Sequence, residues 1–290
     1  MTRSPISMKI IILGDGITNN KMRAPIMPYQ PIFFRCVLRS CVLLACVCLS
    51  FEPALAQPTG REVAQQVFDR YVGEDAFSRQ VMELIPADGR KRVREIDISA
   101  ANRGGVRSTL LRFTSPADIQ GTGFLAIEDG QGGTEQFLYL PALKRTRRIV
   151  ADQKGRSFVN TDFTYEDMQR RPVDDSEHVI VGEETLDGVS CWILESRPKP
   201  GTESQYSQVR AWVAKDMLLS LRVDFFASGQ EPVKRFTVLQ LESFQNIWTE
   251  TKVSMEDLGS GHKTILETIK IEYNTGLPDA AFTQQALENW

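Results

Sequence analysis

Most of this chain is a nearly unbroken succession of short segments in which apolar and polar residues alternate. In one segment, Leu219, Leu221, Val223 and Phe225 alternate with polar residues, and glycine-containing turn signals such as Asp187-Gly188 separate one segment from the next. A period of two is that of a β-strand, and one apolar face opposite one polar face indicates an antiparallel sheet with a dry side and a wet side. The sequence therefore predicts a mainly β protein with few helices.

The predicted strands follow one another directly and are joined by turns. They cover Arg79–Ile85, Arg92–Ala100, Val106–Thr114, Gly123–Glu128, Glu135–Leu140, Lys144–Val150, His178–Glu183, Ser190–Ser196, Tyr206–Ala214, Leu218–Phe226, Val233–Phe244, Trp248–Leu258 and His262–Tyr273. Helices are predicted at Arg61–Tyr71, where Val63, Val67 and Tyr71 form an apolar stripe, and at Asp279–Leu287. Twist accumulates from strand to strand across a sheet. A sheet with this number of strands must therefore form a sandwich, a barrel or a half-barrel.

Residues 1–56 have the features of an export signal. Arginines precede the apolar run Cys41–Phe51, and Ala54–Ala56 supplies a small-residue cleavage site. The run holds about 11 residues, well below the roughly 20 that span a membrane. We therefore predict cleavage after Ala56 and a single mature β domain over residues 57–290.

A lipoprotein signal is the alternative interpretation of this region, since Leu43–Cys46 loosely resembles a lipid-attachment sequence. Only six residues separate Arg39 from Cys46, which leaves too little apolar length for such a signal. Lipid anchoring is therefore the less favoured interpretation.

Charge and cysteine content narrow the classes of protein further. Residues 1–56 hold six of the 34 Lys and Arg and two of the 37 Asp and Glu, so cleavage changes the formal charge from −3 to −7. An acidic domain argues against nucleic acid as a partner. The same residues hold four of the five cysteines, so Cys191 has no internal disulfide partner and is predicted to be a small buried hydrophobic residue.

The mature chain lacks the residue patterns of a catalytic centre. Its histidines are His178 and His262, and Ser260 precedes His262 in a predicted hairpin turn without a G-x-S-x-G sequence. Together with Cys191, these histidines supply fewer ligands than the four of a structural zinc site. The sequence therefore predicts a protein that is not an enzyme and that binds no cofactor or metal.

An acidic group formed by Asp162, Glu166 and Asp167 allows two interpretations. Carboxylates bind hard cations, and a metal-dependent acyl-hydrolase built on Asp162 is a minor alternative. Thr164, followed three residues later by Asp167, resembles a helix capping box. Capping is the favoured interpretation.

The strongest basic cluster of the mature chain is Lys144–Arg148. On a solvated edge strand, such charge discourages aggregation. Alternatively, Arg145, Arg147 and Arg148 form a basic rim that meets anionic headgroups or an acidic partner protein. The residues favour neither interpretation over the other.

In the order and spacing of several short motifs, this chain resembles the outer-membrane lipoprotein-sorting-like family, which is related in fold to the LolA and LolB carriers. The motifs are Phe113–Pro116, Gly121–Leu125, Gln136–Pro141, Arg147–Ile149, Asp162–Asp167, Trp212-Val213, Lys234 and Leu277–Phe282. This resemblance implies a curved antiparallel sheet that forms an unclosed half-barrel with a helical lid around an apolar cavity. The implied function is to carry a lipid or a lipidated protein across the periplasm, and the implied partner is an RND-type exporter.

These implications give a hypothesis about the binding site. At about 0.8 kcal/mol per CH₂, a sixteen-carbon acyl chain in water faces a penalty of about 12 kcal/mol, which an enclosed apolar cavity offsets. The acyl chain is predicted to contact Phe113, Phe124, Phe137, Tyr139, Phe163, Tyr165, Met168, Trp192, Trp212 and Phe236. The segment Asp162–Met168 is predicted to gate the mouth. The alternative is an interaction protein, an adaptor of an exporter or envelope complex that carries no lipid.

Overall fold

The computed structural model describes residues 57–289, so the predicted export signal, its cleavage site and the alternative lipid-attachment sequence lie outside the described residues. Helix α1 spans Gly60–Phe68 and helix α2 spans Gln284–Glu288. The strands are β1 (Asp75–Ile85), β2 (Arg92–Arg103), β3 (Val106–Ser115), β4 (Gly123–Glu128), β5 (Thr134–Leu140), β6 (Arg145–Arg148), β7 (Ser176–Leu186), β8 (Val189–Pro198), β9 (Gln208–Ala214), β10 (Leu219–Phe226), β11 (Lys234–Phe244), β12 (Ile247–Asp257) and β13 (Lys263–Tyr273). Each predicted strand is present, although several ends differ. Among residues 57–289, no helix has the length and apolar character needed to cross a membrane.

All thirteen strands belong to one antiparallel sheet. Its order is β6-β5-β4-β3-β2-β1-β13-β12-β11-β10-β9-β8-β7, so sheet neighbours are also sequence neighbours except where β1 pairs with β13. Strands β6 and β7 lie at the two edges, and the sheet is not closed into a barrel. The predicted mainly β fold with an open antiparallel sheet is thus confirmed.

One face of the sheet is covered by the irregular chain between β6 and β7, residues 149–175, which we call the middle chain. Its aromatic residues Phe158 and Tyr165 are buried against Phe113 on β3 and Phe124 on β4. The Phe158 and Phe124 rings meet edge to face with centroids 5.1 Å apart. The same cluster includes residues of β1, β2, β5 and β12, so the sheet curves around the middle chain. We call this inner side the concave face.

Helix α1 is fixed at its first turn by local hydrogen bonds and by a close approach to the sheet. The Thr59 hydroxyl accepts a hydrogen bond from the Glu62 backbone N–H at 3.2 Å, and the Glu62 carboxylate accepts one from the Thr59 N–H at 2.7 Å. These two reciprocal hydrogen bonds form a capping box, which was not predicted for this helix. A Cβ on Gly60 would lie 2.4 Å from the carbonyl oxygen of His178, so only glycine allows the helix to start directly against β7.

The apolar side of α1 faces the concave side of the sheet. Val63 is buried against Leu194 on β8 and Val213 on β9. The helix ends at Phe68, earlier than predicted, and Tyr71 is 55% exposed. The prediction that Tyr71 extends the apolar stripe was wrong, because the chain leaves the helix before it reaches that residue.

The C-terminal residues cover the opposite, convex face over β2–β5. Phe282 and Leu287 are buried there against Phe137. Arg112 on β3 donates a hydrogen bond to the Leu287 carbonyl, as basic side chains do at the end of a helix. The single helix predicted here is two short helices, because extended backbone at Thr283 separates a 3₁₀ turn from α2.

Strand β10 departs from the predicted alternation because of a β-bulge at Leu221, where its pairing with β9 shifts by one residue. Val223 and Phe225 face the concave side. Leu221 instead packs with Trp212 on the convex side. The prediction that Leu221 shares a face with Val223 and Phe225 was therefore wrong.

Candidate functional site

A cleft of about 490 Å³ opens between α1, the middle chain and the concave face of β8–β11. This volume lies in the range of roughly 300–1,000 Å³ that small-molecule sites occupy. Val209, Ala211 and Val213 line it from β9, where a period of two places all three on the concave face. Val67 and Phe68 of α1 line it from the other side. The cleft therefore has apolar walls on two sides.

A buried ion pair holds the middle chain against the sheet beside this cleft. Lys234 at the start of β11 donates hydrogen bonds to Asp167 Oδ2 and to the Tyr206 hydroxyl, both at 2.8 Å. Tyr206 in turn donates to Asp167 Oδ1 at 2.9 Å. Burial raises the pKa of Tyr206, and the Asp167 carboxylate raises it further, so the hydroxyl remains protonated and can donate. The side chains of Lys234 and Asp167 are 10% and 3% exposed.

Glu166 forms a second buried anchor. Its carboxylate accepts hydrogen bonds from Arg171 at 2.6 Å, from the Ser204 hydroxyl at 2.5 Å and from the Gln205 backbone N–H at 3.1 Å. Ser204 and Gln205 belong to the loop before β9. The middle chain is thus anchored to β11 and to the loop before β9, and the residues that follow, 169–173, lie along the cleft.

The remaining hydrogen bonds of the acidic group connect its residues to neighbouring side chains and backbone. Thr164 and Asp167 exchange the predicted pair of hydrogen bonds, at 2.7 and 3.3 Å, although turns rather than a helix follow. Asp162 accepts hydrogen bonds from His262 at 2.7 Å and from the Thr264 hydroxyl at 2.6 Å. Within residues 57–289, no group of three His, Cys, Asp or Glu is placed to hold a metal ion.

Three arginines, Arg70, Arg107 and Arg170, line one end of the cleft beside the C-terminal end of α1. Arg170 makes a bidentate ion pair with Glu128, at 2.9 and 2.6 Å, and its guanidinium lies 3.8 Å from the centroid of the Phe68 ring. Sequence reasoning did not identify this group, because its members come from three separate parts of the chain. We call these three residues the arginine cluster.

His178 on β7 also lines the cleft, and it is held in its neutral form. Its Nδ1 lies 2.7 Å from the Ser196 hydroxyl and its Nε2 lies 2.9 Å from the Val173 carbonyl oxygen. A carbonyl can only accept, so Nε2 carries the proton and Nδ1 accepts from Ser196. Burial lowers the pKa of His178.

This lowered pKa predicts a loss of stability in mild acid. The unfolded chain takes up a proton at His178 from about pH 6.5 downward, whereas the folded protein does so only at lower pH. The stabilising contribution of neutral His178 is therefore complete above that pH and declines below it. We expect His178→Gln to show a smaller drop in unfolding free energy than the natural protein between about pH 7 and pH 5, measured by urea titration. Equal drops would show that another group causes the acid sensitivity.

The aromatic residues predicted to bind acyl chains are divided among different parts of the fold. Phe163 and Phe236 line the cleft, and Trp192 packs beside it against the buried cluster that includes Val63 of α1. Four others belong to the core under the middle chain: Phe113, Phe124, Tyr165 and Met168. Three lie on the convex face: Phe137, Tyr139 and Trp212. The structure therefore brings only some of them to one cavity, and contact with an acyl chain remains a prediction for each.

The predicted basic rim lies on β6, at one edge of the sheet, and does not line the cleft. Arg148 pairs with Glu135 on β5 at 2.7 Å, and both side chains are largely exposed. Arg145 and Arg147 are exposed, and neither forms an ion pair within the described part of the chain. Cys191, predicted to be a buried hydrophobic residue, is fully buried.

Comparison with known proteins finds similar structures, one of which is described as a lipoprotein-sorting protein domain. A family model described as "Uncharacterized protein" matches residues 105–289. A crystal structure of a DUF1329 family protein from Desulfovibrio piger is 33% identical and has a TM-score of 0.74, with 79% of this chain and 97% of that chain covered. A structure described as an outer membrane lipoprotein-sorting protein domain from Vibrio parahaemolyticus is 27% identical, with the same TM-score and coverages of 79% and 98%.

A more distant structure shares the fold alone. It is a LolA superfamily protein from Nitrosomonas europaea, with 16% identity, a TM-score of 0.62 and coverages of 79% and 99%. No curated protein matches this chain. The lipoprotein-sorting-like family and the LolA-like fold that the motifs implied are thereby confirmed.

Proposed function

Because this chain belongs to the DUF1329 family and has the LolA-like fold of lipoprotein-sorting proteins, we propose that it is a carrier that binds the acyl chain of a lipid or a lipidated protein. The observation that carries this proposal is the cleft of about 490 Å³ between α1 and β8–β11. Each acyl CH₂ moved from water into such a site contributes about 0.8 kcal/mol. Sequestration alone is then the mechanism, and no bond is made or broken.

The proposed location is the periplasm. Residues 1–56 have the pattern of an export signal, and carriage of acyl chains is needed where a lipid must cross an aqueous compartment. In this proposal an RND-type exporter is the partner, and the exposed residues Arg145 and Arg147 on β6 are the surface that meets it. Co-purification of such an exporter with the tagged protein, and its loss when both arginines become glutamate, tests this assignment.

The carrier proposal predicts a bound lipid in protein taken from its own compartment. We expect native mass spectrometry of protein purified from the periplasm to show a species heavier than the mature chain by the mass of one lipid or acyl group. A fluorescent fatty acid should bind the delipidated protein with a stoichiometry of one. A protein that repeatedly carries no lipid and takes up no fluorescent fatty acid would not be a carrier.

A further inference from the structure

The arginine cluster gives the cleft an uneven charge. Each of the other cationic side chains at or beside the cleft faces a carboxylate. The pairs are Arg170 with Glu128 at 2.6 Å, Arg171 with Glu166 at 2.6 Å, Lys234 with Asp167 at 2.8 Å and Arg70 with Glu250 at 4.0 Å. Arg107 forms no ion pair with any residue of 57–289. Arg107 is therefore the one cation of this cleft, among the described residues, that has no carboxylate within ion-pair distance.

The hydrogen bonds of Arg107 are also incomplete. Its Nη2 donates to the carbonyl oxygens of Phe68 and Arg70 at 3.5 and 3.4 Å, which are long distances for an N–H···O bond. Its Nε is buried and has no hydrogen-bond partner among the described residues. A buried donor left without an acceptor costs about 1–3 kcal/mol, and more for a charged group. An incoming anion would supply that acceptor.

The surroundings of Arg107 favour an anion over any other ligand. Burial lowers the pKa of Arg107, and the nearby charges of Arg170 and Arg70 lower it further, which means that the three guanidinium groups repel one another. Glu128 offsets this repulsion only in part, because its two carboxylate oxygens already form the bidentate pair with Arg170. A negative charge placed between these groups removes the repulsion and satisfies the free N–H at once.

We propose that the arginine cluster binds the anionic head of an amphiphile whose acyl chain lies in the apolar part of the same cleft. The ligand class is a carboxylate or phosphate joined to a hydrocarbon chain, such as a fatty acid or a phosphate-bearing lipid. This inference rests on the proposed carrier function and narrows it. The acylated cysteine of a lipoprotein is linked through ester, thioether and amide groups, which carry no charge, so it would not neutralise Arg107.

The competing explanation is that Arg107 only stabilises the end of α1. Basic side chains near the last carbonyls of a helix interact favourably with them. In that case replacement of Arg107 lowers stability but changes the binding of charged and neutral amphiphiles equally. Ligand selectivity, and not stability, therefore distinguishes the two explanations.

The test compares three ligands of equal chain length below their micelle concentrations: dodecanoate, dodecyl phosphate and the uncharged monododecanoylglycerol. Each displaces a fluorescent fatty acid from the delipidated protein. We expect both anions to bind at least tenfold more tightly than the neutral ligand. Arg107→Gln should remove that preference and leave the neutral ligand unchanged, and Arg107→Lys should keep part of it. Inorganic phosphate at millimolar concentration should not compete, because the site requires the attached chain.

The matched control is Arg92→Gln, which removes an exposed arginine of β2 outside the cleft and should leave all three affinities unchanged. If the natural protein binds the three ligands equally, the anionic site is wrong while the carrier function stands. If none of the three binds, both are wrong. If inorganic phosphate competes as well as dodecyl phosphate, the site recognises free phosphate and the lipid assignment is wrong.

Discussion

Replacement of Lys234 by methionine is expected to lower the unfolding free energy by about 3–5 kcal/mol. The substitution leaves the Asp167 carboxylate, whose side chain is 3% exposed, without its cation. It also removes a donor to the Tyr206 hydroxyl. Since this group fastens the middle chain to β11, urea unfolding should shift to a much lower midpoint.

Two comparison variants make this prediction specific. Lys252→Met breaks an ion pair of similar length, since Lys252 on β12 lies 2.6 Å from Glu267 on β13. Both of these side chains, however, are substantially exposed. Its loss should cost about 1 kcal/mol or less. Adding Asp167→Asn to Lys234→Met removes the unpaired charge, so the double variant should recover more than about 1 kcal/mol. Equal costs for Lys234→Met and Lys252→Met would show that burial of the Asp167 pair is unimportant.

The strands were predictable because the sequence pattern that indicates each strand lies within the strand itself. A period of two with turn residues between the segments is readable from the sequence, and all of the predicted strands exist. Two of the errors also have local causes. The bulge at Leu221 reverses the faces within β10, and the early end of α1 exposes Tyr71. Neither a bulge nor a missing helical turn changes the composition of the segment, so neither is visible in the pattern.

The cleft was less predictable because its residues meet through topology. Arg70 follows α1, Arg107 lies on β3 and Arg170 lies in the middle chain, and nothing in their spacing indicates that they are neighbours. The charge run at Arg145–Arg148 was conspicuous in sequence, yet it lies on the edge strand β6 away from the cleft. A run of like charge is visible within one strand, whereas a binding site is formed by residues that several elements bring together.

The aromatic residues show the same limit. Phe124 and Phe137 lie on adjacent strands with similar neighbours in sequence, but Phe124 contacts the middle chain and Phe137 contacts the C-terminal residues. Both faces of β3–β5 are covered, so apolar residues occur at successive positions and the alternation that would assign a face is lost. The motif Asp162–Asp167 was informative for another reason. Its polar residues provide the anchors of the middle chain, which fixes one wall of the cleft.

Filling the cleft from β9 is expected to abolish acyl binding while the protein remains folded. Ala211 is half-buried, lines the cleft, and stands between Val209 and Val213 on the concave face. Ala211→Trp places an indole where the hydrocarbon would lie. Exclusion of even four CH₂ groups costs about 3 kcal/mol, which corresponds to a roughly 200-fold weaker Kd. Titration with a fluorescent fatty acid measures the change.

The control for this substitution is Ala142→Trp, which introduces the same side chain at an exposed position between β5 and β6. It should leave fatty-acid binding unchanged, and both variants should unfold cooperatively in urea, so that lost binding cannot be attributed to lost folding. If Ala211→Trp is folded and binds the fatty acid as tightly as the natural protein, the acyl chain lies elsewhere. The convex-face residues Phe137, Tyr139 and Trp212 would then become the next positions to test, because they are the predicted contacts outside the concave side. A strong loss in Ala211→Trp alone would locate the hydrocarbon beside β9, where Ala211 lines the cleft.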